Sequence, residues 1–369
     1  MNLSTERIIK LLQVKGIGRA KVLRLSEMVD FTPTSDQELA KLLMENLSAL
    51  KVPFIQFNDV LSAFQKGEEL LEKSFNLGIR TISYFDSNYP PLLKNIPTAP
   101  LILNVRGNLS SILDFPTVAI VGTRKPSNYG KTIGERVGYL VAQNNISVVS
   151  GLAIGCDTAA HIGCLKAGGK TIAVLAHGLD MIYPKENSGL AEKIVETGGC
   201  LISEYMIKTR ALSNFFIERD RIQAGLSKAT IVIETDIKGG TMHTVNYTLD
   251  YNRILAAFHH PTEKQNEKSK GNEMLIAENK AISLQTKEDI ESLIETINPS
   301  LKKSSSFPST PIAEVQLPLF NEEEFNRLLS PPPEKIKKPR KKRTKPDVTK
   351  SKIFKDEPDI RPGPDVDQQ

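Results

Sequence analysis

The sequence has no tryptophan, three cysteines, five histidines and only 6% aromatic residues in 369, and each shortage removes a class of protein. The cysteines, Cys156, Cys164 and Cys200, are odd in number and form no Cys-x-x-Cys pair. They support neither a disulfide framework nor a cysteine zinc site, and they fit a reducing, cytoplasmic compartment. The histidines are scattered, and the neighbouring His259 and His260 cannot easily point at one ion, so no metal is expected. His161, on a predicted helix, reads as a half-buried packing residue rather than as a base. The first apolar stretch, Ile8 to Val14, is broken by Lys10 and Gln13 and makes no signal peptide. No run approaches the roughly eighteen apolar residues of a transmembrane helix, so a soluble protein with no membrane partner is expected.

Surplus charge is scarce as well. The formal net charge is +5, but Pro331 to Gln369 holds 12 Lys and Arg against 7 Asp and Glu, which leaves 36 of each sign in the preceding 330 residues. With no global positive field, any anion binding by the folded body must come from a local patch. What remains is ordinary for a globular chain: 40% hydrophobic and 25% charged residues, at a length ample for a large core.

Three textures follow one another along the chain. Residues 1–75 read as a helical domain, with Ile8, Leu11, Leu12 and Leu23 at helical spacing and Asp36 to Leu43 and Asp59 to Leu71 in the same style. Within it, Val14 to Lys21 carries Gly16-Ile17-Gly18 between two helical segments. It resembles a helix-hairpin-helix turn, whose backbone N–H groups can meet a DNA phosphate, and it also fits an ordinary turn between short helices. Residues 76–296 begin with a Pro-rich connection and then alternate short β-branched runs with amphipathic helical stretches. The runs are Val118 to Val121, Ser147 to Ser150, Thr171 to Ala176, Cys200 to Ser203, Thr230 to Glu234 and Ile254 to Phe258. Apolar throughout, they suit a parallel sheet covered on both faces, which predicts an α/β, Rossmann-like, doubly wound domain. Residues 297–369 form a Pro-rich basic tail, expected to be mostly disordered; 11 of the 22 prolines fall in the last 62 residues. Two islands stand out there: an apolar stretch from Gln316 to Leu329, suited to a short docking helix, and Lys335 to Lys345, where eight of eleven residues are basic. Such a basic run is either a solvated tail or a non-specific nucleic-acid contact.

Four segments lie where open α/β sheets place ligands, beyond the carboxyl ends of predicted strands. In VGTRKPSNYG (121–130) a strand runs through Gly122, Thr123 and Arg124 toward a helix predicted near Gly130. The guanidinium can fork onto a phosphate, and the helix N-terminus offers N–H donors. In VSGLAIGCDTAAH (149–161) small residues, Ser150 and Gly151 among them, make a second N–H-lined turn, capped by Asp157 or Thr158. The third segment, 176–187, exposes Lys185 in a Tyr-Pro-Lys turn, and in the fourth, 215–227, Arg219 and Arg221 open a predicted helix. No Gly-Lys-Ser/Thr follows the second turn and GxGxxG is absent, so neither ATP nor a dinucleotide is supported and no cofactor is expected.

These segments, with TIAVLAHGLDMIYPKEN (171–187), LISEY (201–205) and RDRIQAGLSKATIVIET (219–235), stand in the order seen in the DprA/Smf DNA-processing family. The resemblance covers roughly Gly78 to Leu284. It implies an extended Rossmann fold, a homodimer, binding of single-stranded DNA without catalysis, and loading of RecA recombinase onto DNA taken up in transformation. It also implies that Arg124, with Gly122 and Thr123, lines the DNA pocket, and that Lys185, Ser150, Gly151, Arg219 and Arg221 belong to the same site. The chain departs from the family's pattern at Asp220, where the family usually has asparagine, and at Lys238-Gly239-Gly240-Thr241, Asn252-Arg253 and His259-His260-Pro261. Many relatives end in a winged-helix domain; this chain has the basic tail.

Two other classes of function suit the same loops. In a nucleotide-processing enzyme, Glu204 or Glu234 would face the cleft beside Gly239-Gly240-Thr241; alternatively these glutamates cap helices or pair with Arg219 or Arg221. A sensor of a nucleotide-derived signal would hold a closed small-ligand site. For DNA, the two glycine turns with Arg124, Lys185 and one of the arginines would neutralise about three phosphates, a salt slope of roughly −2. Tyr129, Tyr183 and Phe215 are the candidates for stacking on bases.

Overall fold

Ser4 accepts a hydrogen bond from the Arg7 N–H and opens α1 (Thr5–Gln13). The computed structural model describes residues 3–29, 32–299 and 311–316. After α1 come α2 (Arg19–Met28), α3 (Asp36–Asn46) and α4 (Phe57–Asn76). Ile8, Leu11, Leu25, Leu39, Leu43 and Phe64 are wholly buried where these helices meet. Leu101 and Ile102 complete the same core, so the helical segment packs directly onto the sheet that follows. In the α1–α2 turn Gly16 takes φ +84°, which a side chain would resist. Two of the turn's cations are engaged by carbonyls: Arg19 Nε donates to Ala99 O at 2.6 Å and Lys21 Nζ to Gly16 O at 2.8 Å.

The region read as a Pro-rich connection contributes two strands, β1 (Ile79–Ser83) and β2 (Ile102–Gly107), with short α5 (Pro91–Lys94) between them and α6 (Ser110–Leu113) after. Then strand and helix alternate: β3 (Thr117–Val121), α7 (Asn128–Gln143), β4 (Ser147–Ser150), α8 (Cys156–Lys166), β5 (Thr171–Val174), α9 (Ser188–Glu196), β6 (Cys200–Ser203) and α10 (Ser213–Leu226). The run closes with β7 (Ala229–Val232), α11 (Thr241–Asp250), β8 (Ile254–Phe258), α12 (Lys270–Ala277), β9 (Ile282–Leu284) and α13 (Lys287–Ile297). The nine strands form one sheet in the order β1-β2-β6-β5-β4-β3-β7-β8-β9. β1 pairs antiparallel with β2 and β2 with β6, and every later pair is parallel. This is a doubly wound, mainly parallel α/β sheet. Side chains alternate across it: Val118 and Ile120 face α7, α8 and α13, whereas Ala119 and Val121 face the layer containing α10, α11 and α12.

Residues 311–316, placed by composition in the tail, lie against this body. Ile312 is wholly buried beside Leu284, Ile290 and Ile294, and its N–H donates to Gln285 O at 3.0 Å. Ala313 and Val315 pack on the same cluster, Arg136 donates to Ala313 O, and Pro311 bridges to Thr286, so several contacts hold the segment. The apolar island beyond Gln316 and the basic run at Lys335 to Lys345 lie outside the described residues.

Helices α7 and α8 approach so closely that a Cβ on Gly138 would sit 2.3 Å from Ala160 O. Gly138→Ala is expected to lower stability by up to about 2 kcal/mol, an overpacking cost of about 1–3 kcal/mol less a helix-propensity gain of about 1 kcal/mol. A melting curve checks this; an unchanged midpoint would mean that α7 and α8 separate freely.

Candidate nucleic-acid interface

Beyond the carboxyl ends of β3 and β7 lies a cleft of about 750 Å³. It stands where the winding reverses, since β3 leads through α7 to β4 on one side and has β7 on the other. Two interlocked loops build its first wall. The Thr123 N–H donates to Glu234 O at 2.8 Å, and the Cys156 N–H donates to Thr123 O at 3.2 Å. Gly122 has to be glycine here, because a Cβ would meet Cys156 Sγ at 2.5 Å. Arg124 leaves this fixed backbone into solvent, with its guanidinium 4.9 Å from the Phe216 ring centre. Phe216 in turn contacts Tyr183, at 5.8 Å between centroids, and Tyr183 is 47% exposed. Lys125, Lys268 and His243 complete the cationic and polar rim.

The floor is built differently from the N–H cradle that the two glycine turns suggest. Glu234, wholly buried, accepts from the Ser127 N–H at 2.7 Å, and Ser127 Oγ accepts from the Gly130 N–H at 2.9 Å. Asp157 accepts from the N–H groups of Gly151 and Ala153, at 3.1 and 3.3 Å. The protein's own carboxylates therefore take one backbone donor before α7 and two in the β4–α8 turn. Arg219 also serves the floor: it is 5% exposed, and its Nη1 donates to Gly151 O at 2.8 Å and Val174 O at 2.7 Å. Its Nε lies 3.1 Å from Asp220 Oδ1. Burial, only partly offset by Arg219, raises the Asp157 carboxyl above its ordinary range and pushes Asp220 up to about 6.

Gly122, Thr123, Arg124 and Arg219 line the cleft together. Ser150 is buried beneath it and donates to Ile120 O at 2.7 Å, and Gly151 is held by Asp157 and Arg219, so neither presents a free group to a phosphate. Lys185 is exposed on the single turn Lys185–Asn187, outside the lining but two residues beyond Tyr183. Two expected site residues are elsewhere. Tyr129 packs on Phe258 and His260, at 6.0 and 5.9 Å, because its side of α7 faces the core. Arg221 sits mid-helix rather than at a helix start, since α10 begins at Ser213, and two residues from Arg219 it points away from the cleft. There it pairs with Glu204 at 2.5 Å, in a separate cavity of about 740 Å³ against the helical segment. Phe215, a stacking candidate, instead stacks on Tyr205 at 4.2 Å. Phe216 takes its place, and its spacing of three from Arg219, one helical turn, was the available signal. Lys268 gave no such signal, because the fold alone brings its Nζ to Lys125 O, 2.5 Å away across 143 residues.

Both glutamates weighed as enzyme groups are spoken for: Glu234 caps the approach to α7, and Glu204 pairs with Arg221. His161 is wholly buried with Nδ1 2.6 Å from Thr171 Oγ1, and burial, with Arg219 nearby, lowers its pKa to about 3. The three cysteines are free and buried, and no group of metal-ligating side chains occurs among the described residues.

Replacing Arg219 by methionine would leave two buried carboxylates without their shared cation, at a cost of about 3–5 kcal/mol. Both carboxyls have folded pKa values raised above the unfolded ones, so the folded state holds more protons and gains stability as pH falls. Arg219 lowers both pKa values, so they rise further without it; Arg219→Met then gains more on acidification than the parent, and its deficit should shrink from about pH 7.5 to about pH 5.5. Urea denaturation at the two pH values measures it; a pH-independent deficit would assign the loss to packing instead.

Solved proteins share this fold. The DNA processing protein A structure from Streptococcus pneumoniae matches with a TM-score of 0.65 at 28% identity, over 79% of this chain and 98% of that one. A structure concerned with the single-stranded DNA binding mode of DNA processing protein A from Helicobacter pylori matches with a TM-score of 0.53 at 27% identity, over 59% of this chain and 96% of that one. In sequence, the chain is 33% identical to Protein Smf of Synechocystis over 73% of its length and 70% of the relative's. It is 35% identical to the DNA processing protein DprA of Streptococcus pneumoniae over 70% of its length and 87% of the relative's. The model of the DNA recombination-mediator protein A family matches residues 80–295, the span that holds all nine strands but the first residue of β1. With fold and sequence agreeing over that span, the chain belongs to the DNA recombination-mediator protein A, or DprA/Smf, family.

Proposed function

We propose that the switch-point cleft binds single-stranded DNA without cleaving it. The observation that carries this reading is the rim, where Arg124 lies against Phe216 of the Tyr183–Phe216 ring pair and Lys125 and Lys268 line the same cleft. Cations along a strand's backbone with rings against its bases are the two elements of sequence-tolerant single-strand binding. The rim cations match about three phosphates, for a salt slope of roughly −2. Lys185, exposed just beyond Tyr183, would hold the neighbouring phosphate. The absorption of Glu234 and Glu204 into structural contacts supports binding rather than hydrolysis.

Family membership supports the wider role: loading of a RecA-type recombinase onto DNA taken up in natural transformation, by a homodimer acting in the cytoplasm. Two cleft copies per dimer would raise the affinity of a weak single site through avidity. No helix among the described residues is long and apolar enough to cross a membrane.

Titrating a fluorescent single-stranded oligonucleotide at several salt concentrations tests the cleft. Arg124→Ala should weaken binding and flatten the salt slope by about 0.7, and Phe216→Ala should cost about 1–3 kcal/mol with the slope unchanged. Arg221→Ala and Tyr129→Phe should bind like the parent. Normal binding by a folded Arg124→Ala protein, or binding lost only with residues 331–369, would overturn the assignment.

A further inference from the structure

We infer that Asp220 is a specificity-determining residue of the cleft: its negative charge opposes phosphate, so that DNA seats fully only when the carboxylate takes up a proton. The inference rests on the reading that single-stranded DNA occupies this cleft.

The geometry is that of one cation serving two anions. Arg219 Nε lies 3.1 Å from Asp220 Oδ1, and Asp220 is 15% exposed on the cleft wall. The nearest other carboxylate, Asp157 on α8, is 6% exposed and faces the same guanidinium. Nη1 of that guanidinium is committed to Gly151 O and Val174 O. With both carboxylates ionised the floor carries a net negative charge. Facing Asp220 are Arg124 from the β3–α7 loop and His243 from α11; Lys125, Asp236 and Lys268 lie farther round the lining. A phosphate drawn in by Arg124 thus meets a carboxylate in a partly desolvated site, where like charges repel more strongly than in water.

The carboxylate is also poised to respond. Burial holds its pKa up at about 6, with Arg219 pulling it down and Asp157 pushing it up. An arriving phosphate adds a second negative neighbour and raises it further. Proton uptake and DNA binding are then reciprocally linked, so affinity falls with rising pH by at most about tenfold per unit. Asparagine at this position keeps the shape and removes the charge.

The test uses the full chain and a fluorescein-labelled oligothymidylate, titrated at about pH 6 and about pH 8 at constant ionic strength. The parent should bind roughly fivefold or more weakly at the higher pH; Asp220→Asn should lose that dependence and bind more tightly than the parent there. His243→Gln should keep the parent's pH dependence, which separates Asp220 from the other titratable group on the rim. Calorimetry in buffers of different ionisation enthalpy should show proton uptake by the parent, a readout that does not depend on how well a variant folds. The inference is overturned if the parent takes up no proton, if Asp220→Asn keeps the parent's slope, or if His243→Gln abolishes it. Arg124→Ala distinguishes the two levels of failure: binding that needs Arg124 but ignores pH sinks this inference alone, whereas binding indifferent to Arg124 sinks the cleft reading with it.

Discussion

A single guanidinium holds the site's scaffolding together. Arg219 reaches from the middle of α10 into the space beneath the switch point, where Nη1 ties the β4 turn at Gly151 to the end of β5 at Val174. Its charge offsets Asp157, which closes the β4–α8 turn, and Asp220 on its own helix. Buried charges are tolerable only when paired and hydrogen-bonded. The position of α10 over the sheet, the shape of the β4–α8 loop and the electrostatics of the cleft floor are therefore one constraint. Arg124 depends on it indirectly, because the loop that presents Arg124 is pinned to the start of α8 through the Cys156 N–H.

This accounts for a division of labour between floor and rim. Glu234 and Asp157 take the N–H groups of Ser127, Gly151 and Ala153, so on the proposed reading anion affinity falls to side chains at the mouth. Exposed side chains on an open rim suit a long, repeating ligand better than a small enclosed one. The Asp157–Arg219–Asp220 group also sets two carboxylates against one guanidinium in the floor.

Much of the fold is legible residue by residue. The apolar runs beginning near Val118, Ser147, Thr171, Cys200, Thr230 and Ile254 are the six strands β3 to β8, displaced at their ends by two residues at most. Strands β1 and β2 were harder to see because Arg80, Thr81, Asn104 and Arg106 interrupt their apolar pattern and prolines crowd the link between them. β9 is three residues long, with Ile282 47% exposed, and periodicity has little to act on in so short an edge strand. Ile312 shows the opposite failure, where a polar, proline-containing neighbourhood concealed one residue that fits a core gap.

The sequence by itself determined the strand–helix alternation, the placing of four loops at strand ends and the family, because each of these is written in local spacing and order. Only the tertiary structure decided which groups in those loops remain free. Whether Arg219 or Arg221 meets the cleft depends on the rotation of α10 against the sheet. Whether a glycine turn offers its N–H groups to a ligand depends on a carboxylate arriving from elsewhere, as Glu234 does at Ser127 from 107 residues away. Lys268 joins the rim through the same long-range closure. Hydrogen-bond satisfaction is a property of three-dimensional neighbours, and it is what turned four candidate phosphate loops into one cleft with a floor hydrogen-bonded within itself and a cationic, aromatic rim.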